Sequence, residues 1–164
     1  MVCLLVGGGM QPARAEPSAT AREVEVQFRR GEPRAALLRL DQALAARPGD
    51  VGLRFLQGVL LSESDRSAEA VAVFERMNED FPDLPEPYNN LAVIEAAKGQ
   101  LDRARSLLET ALRLDPTYRT AHQNLGDVFV RLAQRAYEAA ANSPSAEPAL
   151  NAKLRLVREL AANR

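Results

Sequence analysis

Apolar and small residues along this chain recur at the spacing of amphipathic helices, and the predicted helices come in pairs. One such pair covers Val51 to Leu61 and Ser67 to Asn78. Shifting the sequence by 34 positions aligns columns of small or apolar residues, which are Val24, Gly58, Ala92 and Gly126; Ala36, Ala70 and Ala104; Leu40, Phe74 and Leu108; and Ala43, Met77 and Ala111. A proline follows each second helix, at Pro48, Pro82 and Pro116. The sequence therefore predicts a stack of helix pairs whose small residues let two backbones approach closely.

The order of these columns is typical of one known class of repeat. Asn124 to Phe129 match the first helix of that class, and Ala70 to Phe74 match its second helix. On these residues the chain resembles the tetratricopeptide repeat family. The units are 17–50, 51–84, 85–118 and a degenerate fourth unit at 119–142. The resemblance implies an all-α fold: a right-handed superhelical stack of helix-turn-helix repeats with a concave surface.

The fourth unit departs from the repeat pattern where its turn should be. Leu132-Ala133-Gln134 stands there without Gly, Asp or Pro, so either other residues make the turn or one long helix runs from about Thr120 to Ala141. We expect a capping helix at 147–162. Its apolar residues at helical spacing would pack on the stack, and they are Leu150, Leu154, Val157, Leu160 and Ala161. Its polar residues would face water, and they are Arg155, Arg158 and Glu159.

The first fifteen residues are typical of an export signal and not of the stack. Val2 to Met10 form a short apolar run, and Ala13-Arg14-Ala15 is a small-x-small triplet of the kind that signal peptidase cuts. No Lys or Arg precedes the run, which leaves open that translation begins upstream of Met1. We therefore expect a signal peptide at 1–15, a mature domain at 16–164 and a bacterial, periplasmic protein. The alternative is an apolar N-terminus on a cytoplasmic protein.

Composition and charge leave little material for catalysis or for nucleic-acid binding. The formal net charge is -1, so no strongly basic surface is expected to attract nucleic acid. The only cysteine is Cys3, inside the predicted signal, and the only histidine is His122. His122 shares a column with Tyr88, and because residues of this column pack between the helices in the resembled family, the resemblance implies that His122 is structural. We expect no enzyme activity, no metal, no cofactor and no membrane span in the mature chain.

The concave surface is the remaining candidate site. In the resembled family, peptide partners lie along the first helices of the repeats. Carried onto this chain, the resemblance implies a groove lined by Phe55, Val59, Asn89, Asn90, Val93, Gln123, Asn124 and Asp127. Asparagine can bond both the N–H and the C=O of an extended peptide. The alternative is that these asparagines only link neighbouring helices.

These observations favour a non-catalytic adaptor of the bacterial cell envelope that binds a protein or peptide on its concave face. Two alternatives stay open, a regulatory module of a larger envelope enzyme related to peptidoglycan and a self-associating assembly subunit. The oligomeric state is expected to be a monomer or a weak homo-oligomer. The groove positions lack a cluster of Lys and Arg, so a ligand bound through a terminal carboxylate is not expected.

Overall fold

The computed structural model describes residues 18–142 and 148–162, and all regular elements in these ranges are α-helices. They are α1 (Ala19–Arg29), α2 (Pro33–Ala46), α3 (Val51–Glu63), α4 (Ser67–Asp80), α5 (Pro85–Ala97), α6 (Leu101–Leu114), α7 (Arg119–Ala141) and α8 (Pro148–Ala162). Each helix packs against the next, and α1, α3, α5 and α7 also contact one another in order. This arrangement confirms the all-α stack of helix pairs. The predicted signal at 1–15 lies outside the described residues.

In the second unit, the small residue Gly58 lets the other helix of the pair pack closely on α3 through an aromatic side chain. A Cβ atom placed on Gly58 of α3 would lie 2.5 Å from Phe74 Cε1 of α4. Phe74 is fully buried, and so are Ala70 and Met77 on the same helix. The Phe74 ring therefore packs directly on the α3 backbone and occupies the space that a Cβ atom at Gly58 would need.

A left-handed backbone conformation makes the turn within each of the first three pairs. Gly31 and Gly99 have φ angles of 83° and 81°, and Asp65, in the same repeat column, has 58°. The corresponding residue of the fourth unit is Ala133, which lies inside α7. Because the methyl group of alanine disfavours the left-handed conformation, the helix continues. Of the two alternatives for this unit, the structure has the single long helix.

Glu95 is a buried carboxylate in a column where the second repeat has the buried Leu61. Its carboxylate pairs with two cationic side chains, one from the turn after α5 and one from α6. Lys98 Nζ lies 3.1 Å from Glu95 Oε1, and Arg103 Nη1 lies 3.8 Å from Oε2. Arg103 also donates a hydrogen bond to Glu75 of α4. The charge therefore links three helices instead of standing alone in the core, which would be strongly unfavourable.

The last helix packs on α7, as expected of a cap, but its exposed side is not wholly polar. Leu154 is buried, and Leu150, Val157 and Ala161 are half-buried. The expectation for Leu160 is wrong, because its side chain is 60% exposed. Leu160 lies about a quarter turn from the centre of the buried stripe, so α7 does not cover it. None of the helices in the described ranges is long and apolar enough to cross a membrane.

An ion pair on the surface links α8 to α7. Arg158 Nη2 lies 2.9 Å from Glu138 Oε1, and Gln134 Nε2 donates to the same oxygen at 3.1 Å. Hydrogen bonds from Gln134 and then Arg158 hold the pKa of the Glu138 carboxyl below its ordinary value. Glu138 stands where the earlier second helices have a buried alanine, so the fourth unit uses this position for a surface contact with α8.

Candidate peptide-binding face

The first helices of the pairs lie side by side, and the predicted groove residues lie on three of them, α3, α5 and α7. On α3, Phe55 and Val59 are half-buried and pack against the core. The Phe55 ring is tilted by 57° against Phe74, with ring centroids 5.9 Å apart. Such tilted aromatic pairs are favourable. The accessible part of Phe55 and Val59 is therefore an apolar surface that the core holds in place.

The three asparagines of the predicted groove have different surroundings. Asn89 is buried, and its Oδ1 accepts a hydrogen bond of 2.8 Å from Asn124 Nδ2. The Asn90 side chain instead donates to the backbone carbonyl of Glu86 in its own helix at 2.9 Å. Asn89 and Asn124 thus link α5 to α7, as the structural alternative proposed. Asn90 is half-buried on α5, and peptide binding by it stays a prediction.

The remaining predicted residues form the more accessible end of the face. Val93 on α5 is half-buried, and Gln123 and Asp127 on α7 are exposed. The face therefore changes along the stack from apolar on α3 to polar on α7. An extended segment lying across it would place apolar side chains on α3 and α5 and polar groups on α7.

A second bond between α5 and α7 was not found from the sequence. Arg131 Nη1 donates to the backbone carbonyl of Ala96 at 2.6 Å. Arg131 lies two helical turns beyond Asn124, and Ala96 lies two turns beyond Asn89. The two hydrogen bonds are therefore equally spaced along α5 and α7, and they fix the register of these helices. The groove positions of the resembled family do not include residue 131. An arginine on a helix surface is also too common for the sequence alone to predict a hydrogen bond to the next helix.

The expectation that His122 packs between helices is wrong. Its side chain is exposed, and its Nε2 lies 3.0 Å from the carbonyl oxygen of Pro116 in the preceding loop. Tyr88, one repeat earlier, is half-buried against the core. The difference arises because α7 continues past its expected turn, so no second helix of the fourth unit covers His122. Among the described residues, no group of three or more His, Cys, Asp or Glu is placed to hold a metal ion.

Models of the tetratricopeptide repeat match the chain at residues 22–85 and again at 85–118. The chain belongs to the tetratricopeptide repeat family. It is 43% identical over 65 residues to human tetratricopeptide repeat protein 8, covering 38% of this chain and 12% of that protein's length.

Solved structures show the same fold. A tetratricopeptide repeat protein of Thermus thermophilus, TTC0263, superposes with a TM-score of 0.63 at 20% identity, covering 91% of this chain and 84% of that one. The second such domain of human RPAP3, solved in complex with an HSP70 peptide, superposes with a TM-score of 0.60 at 16% identity, covering 69% of this chain and 94% of that one.

Proposed function

We propose that this protein is a non-catalytic adaptor of the bacterial cell envelope that binds an extended segment of a partner protein across its first helices. The observation that carries the proposal is the row of partly exposed apolar side chains Phe55, Val59 and Val93, followed by the exposed Gln123 and Asp127. Core packing and helix-to-helix bonds hold these positions, so little ordering is needed when a ligand binds. The RPAP3 domain with its HSP70 peptide is a structural relative that binds a peptide.

The envelope location rests on the first fifteen residues alone. An apolar run followed by Ala13-Arg14-Ala15 is what an exported precursor carries. Expression of the full chain in a bacterium and N-terminal sequencing of the product tests this directly. A product that begins at Glu16 in the periplasmic fraction supports export, and an uncleaved product in the cytoplasm contradicts it.

The binding face is tested by capture of partners from an envelope extract with charge-matched variants. The face variant is Val93→Arg with Gln123→Arg, which adds two large cations to the proposed surface. The control is Ala72→Arg with Ser106→Arg, which adds the same charge to exposed positions of the second helices α4 and α6. Circular dichroism first checks that all three proteins have equal helicity.

We expect wild type and control to capture the same partner and the face variant to lose it. Capture by all three proteins alike would place the binding surface elsewhere.

A further inference from the structure

The C-terminal end of the stack leaves a helix-sized slot uncovered. In the first three repeats, the second helix of the unit covers a column of small residues, and Val24, Gly58 and Ala92 are buried there. In the fourth unit the same column holds Gly126, which is exposed, and a Cβ atom on it would meet nothing within 4 Å. Phe129, which follows Gly126 by three residues on α7, is 47% exposed. The surface that normally receives a second helix is therefore open.

The slot is open because α8 starts late in the chain. It begins only at residue 148 and is 15 residues long, so it extends about 22 Å and reaches back along the second half of α7. The Arg158–Glu138 ion pair lies along one side of this helix pair. Leu156 and Leu160 lie almost half a turn from Arg158 around α8, and Phe129 lies half a turn from Glu138 around α7. All three side chains therefore project to the opposite side.

The large exposed apolar residues of the described chain lie only at its two ends. Val26 and Leu38 belong to the first helix pair, and Phe129, Leu156 and Leu160 belong to the last two helices. The last three side chains are about half exposed and present about 250–300 Å² of apolar surface, which is the size of patch that is often functional on a monomer.

We propose that a second copy of this chain covers this surface, with α8 of each copy lying in the slot of the other. The second helices that cover the column in earlier repeats carry an alanine followed four positions later by Leu or Phe, as in Ala70 and Phe74. The outward side of α8 presents the same spacing with Ala152 and Leu156, both exposed. The α8 of the same chain cannot fill the slot, because its other side is held on α7 by Leu154.

The proposed dimer has closed two-fold symmetry. Each chain contributes one slot and one helix, so a two-fold axis satisfies both and leaves no further copy to add. The net charge of -1 gives little repulsion between copies. Two copies bury about 500–600 Å² of this apolar surface, and the alanines and the polar rim bring the contact to about 1,000 Å² in total, at the low end for specific interfaces, so we expect a weak dimer.

Sedimentation equilibrium of the full chain between about 1 and 500 µM, a range in which weak dimers form, tests the proposal. The mass of wild type is expected to rise from 17.9 kDa toward twice that value. Leu156→Glu with Leu160→Glu is expected to raise the dissociation constant at least tenfold. The control is Leu38→Glu, a residue equally exposed at the other end of the stack, which is expected to dimerise as wild type does.

A second variant separates loss of the dimer from loss of folding. In Gly126→Leu the new Cβ meets no atom within 4 Å, and the rest of the side chain extends into the slot. The variant is expected to be monomeric while its thermal midpoint is unchanged or raised, because leucine favours helix over glycine. The proposal is overturned if wild type stays monomeric up to 500 µM, if the α8 variant still dimerises, or if Leu38→Glu is the change that dissociates it. The peptide-face variant Val93→Arg with Gln123→Arg should dimerise normally, so the two proposals fail independently.

Discussion

Replacing Gly58 by alanine is expected to destabilise the protein, and the same replacement at Gly126 is expected to stabilise it. Both glycines lie inside helices and in the same repeat column. At Gly58 the new Cβ would lie 2.5 Å from Phe74 Cε1 and 2.6 Å from Cζ. Carbon atoms pack best at about 3.5–4.0 Å, so the ring must move by about 1 Å. At Gly126 the new methyl group meets nothing.

Whether Gly58→Ala raises or lowers stability depends on the cost of displacing the Phe74 ring and on the gain in helix propensity. Phe74 is fully buried and packs against Phe55, so its ring has no free space to enter. A contact of 2.5 Å lies at the severe end of overpacking, about 2–3 kcal/mol, whereas glycine to alanine within a helix returns about 1 kcal/mol. We expect Gly58→Ala to lose about 1–2 kcal/mol and Gly126→Ala to gain up to about 1 kcal/mol. At about 2–4 °C per kcal/mol, the midpoints of the two variants should separate by about 2–12 °C.

Thermal unfolding followed by circular dichroism measures both variants at one protein concentration, so that dimer formation does not bias the comparison. A third variant, Gly58→Ala with Phe74→Leu, isolates the clash. Because leucine is smaller than phenylalanine, the double variant should lose less than the sum of its two single changes. A Gly58→Ala protein as stable as wild type would refute the close packing of the Phe74 ring on Gly58. Strict additivity would show that the loss does not come from the Phe74 ring.

Two further predictions concern the contacts of α7. Asn124→Ala should lower the free energy of unfolding by about 1–3 kcal/mol, because it leaves the buried Asn89 oxygen without its donor. Asn90→Ala should change the free energy of unfolding by under about 0.5 kcal/mol. Equal losses of stability in urea unfolding would contradict this difference. The lowered pKa of Glu138 means that its contribution is complete above its ordinary value of 4.5 and is lost as the pH falls through the lower folded value. The protection factors of the α8 amides, which are exchange rates corrected for the intrinsic effect of pH, should therefore fall in acid, and by less in Arg158→Ala. Protection factors in α8 that do not change with pH would show that the ion pair does not hold the helix.

The helix pairs could be predicted from the sequence because their causes are local. Apolar spacing determines which residues share one side of a helix, and prolines and glycines determine where helices end. Gly31 and Gly99 occupy left-handed turns, which glycine adopts without strain, and the absence of such a residue near Ala133 left only two alternatives for the fourth unit. The candidate binding face was predicted only as a set of repeat positions, since position in the repeat places a residue on one side of a helix.

What covers each side of a helix was decided by the tertiary structure. Asn89 and Asn90 are adjacent and of the same type, yet one is buried against Asn124 and the other bonds its own helix. Gly58 and Gly126 share a column, yet one touches a buried ring and the other lies open. Local sequence sets the direction of a side chain, but burial depends on whether another helix reaches that side. That depends on the length of the continuous α7 and on where α8 returns along it, which no single column of residues encodes.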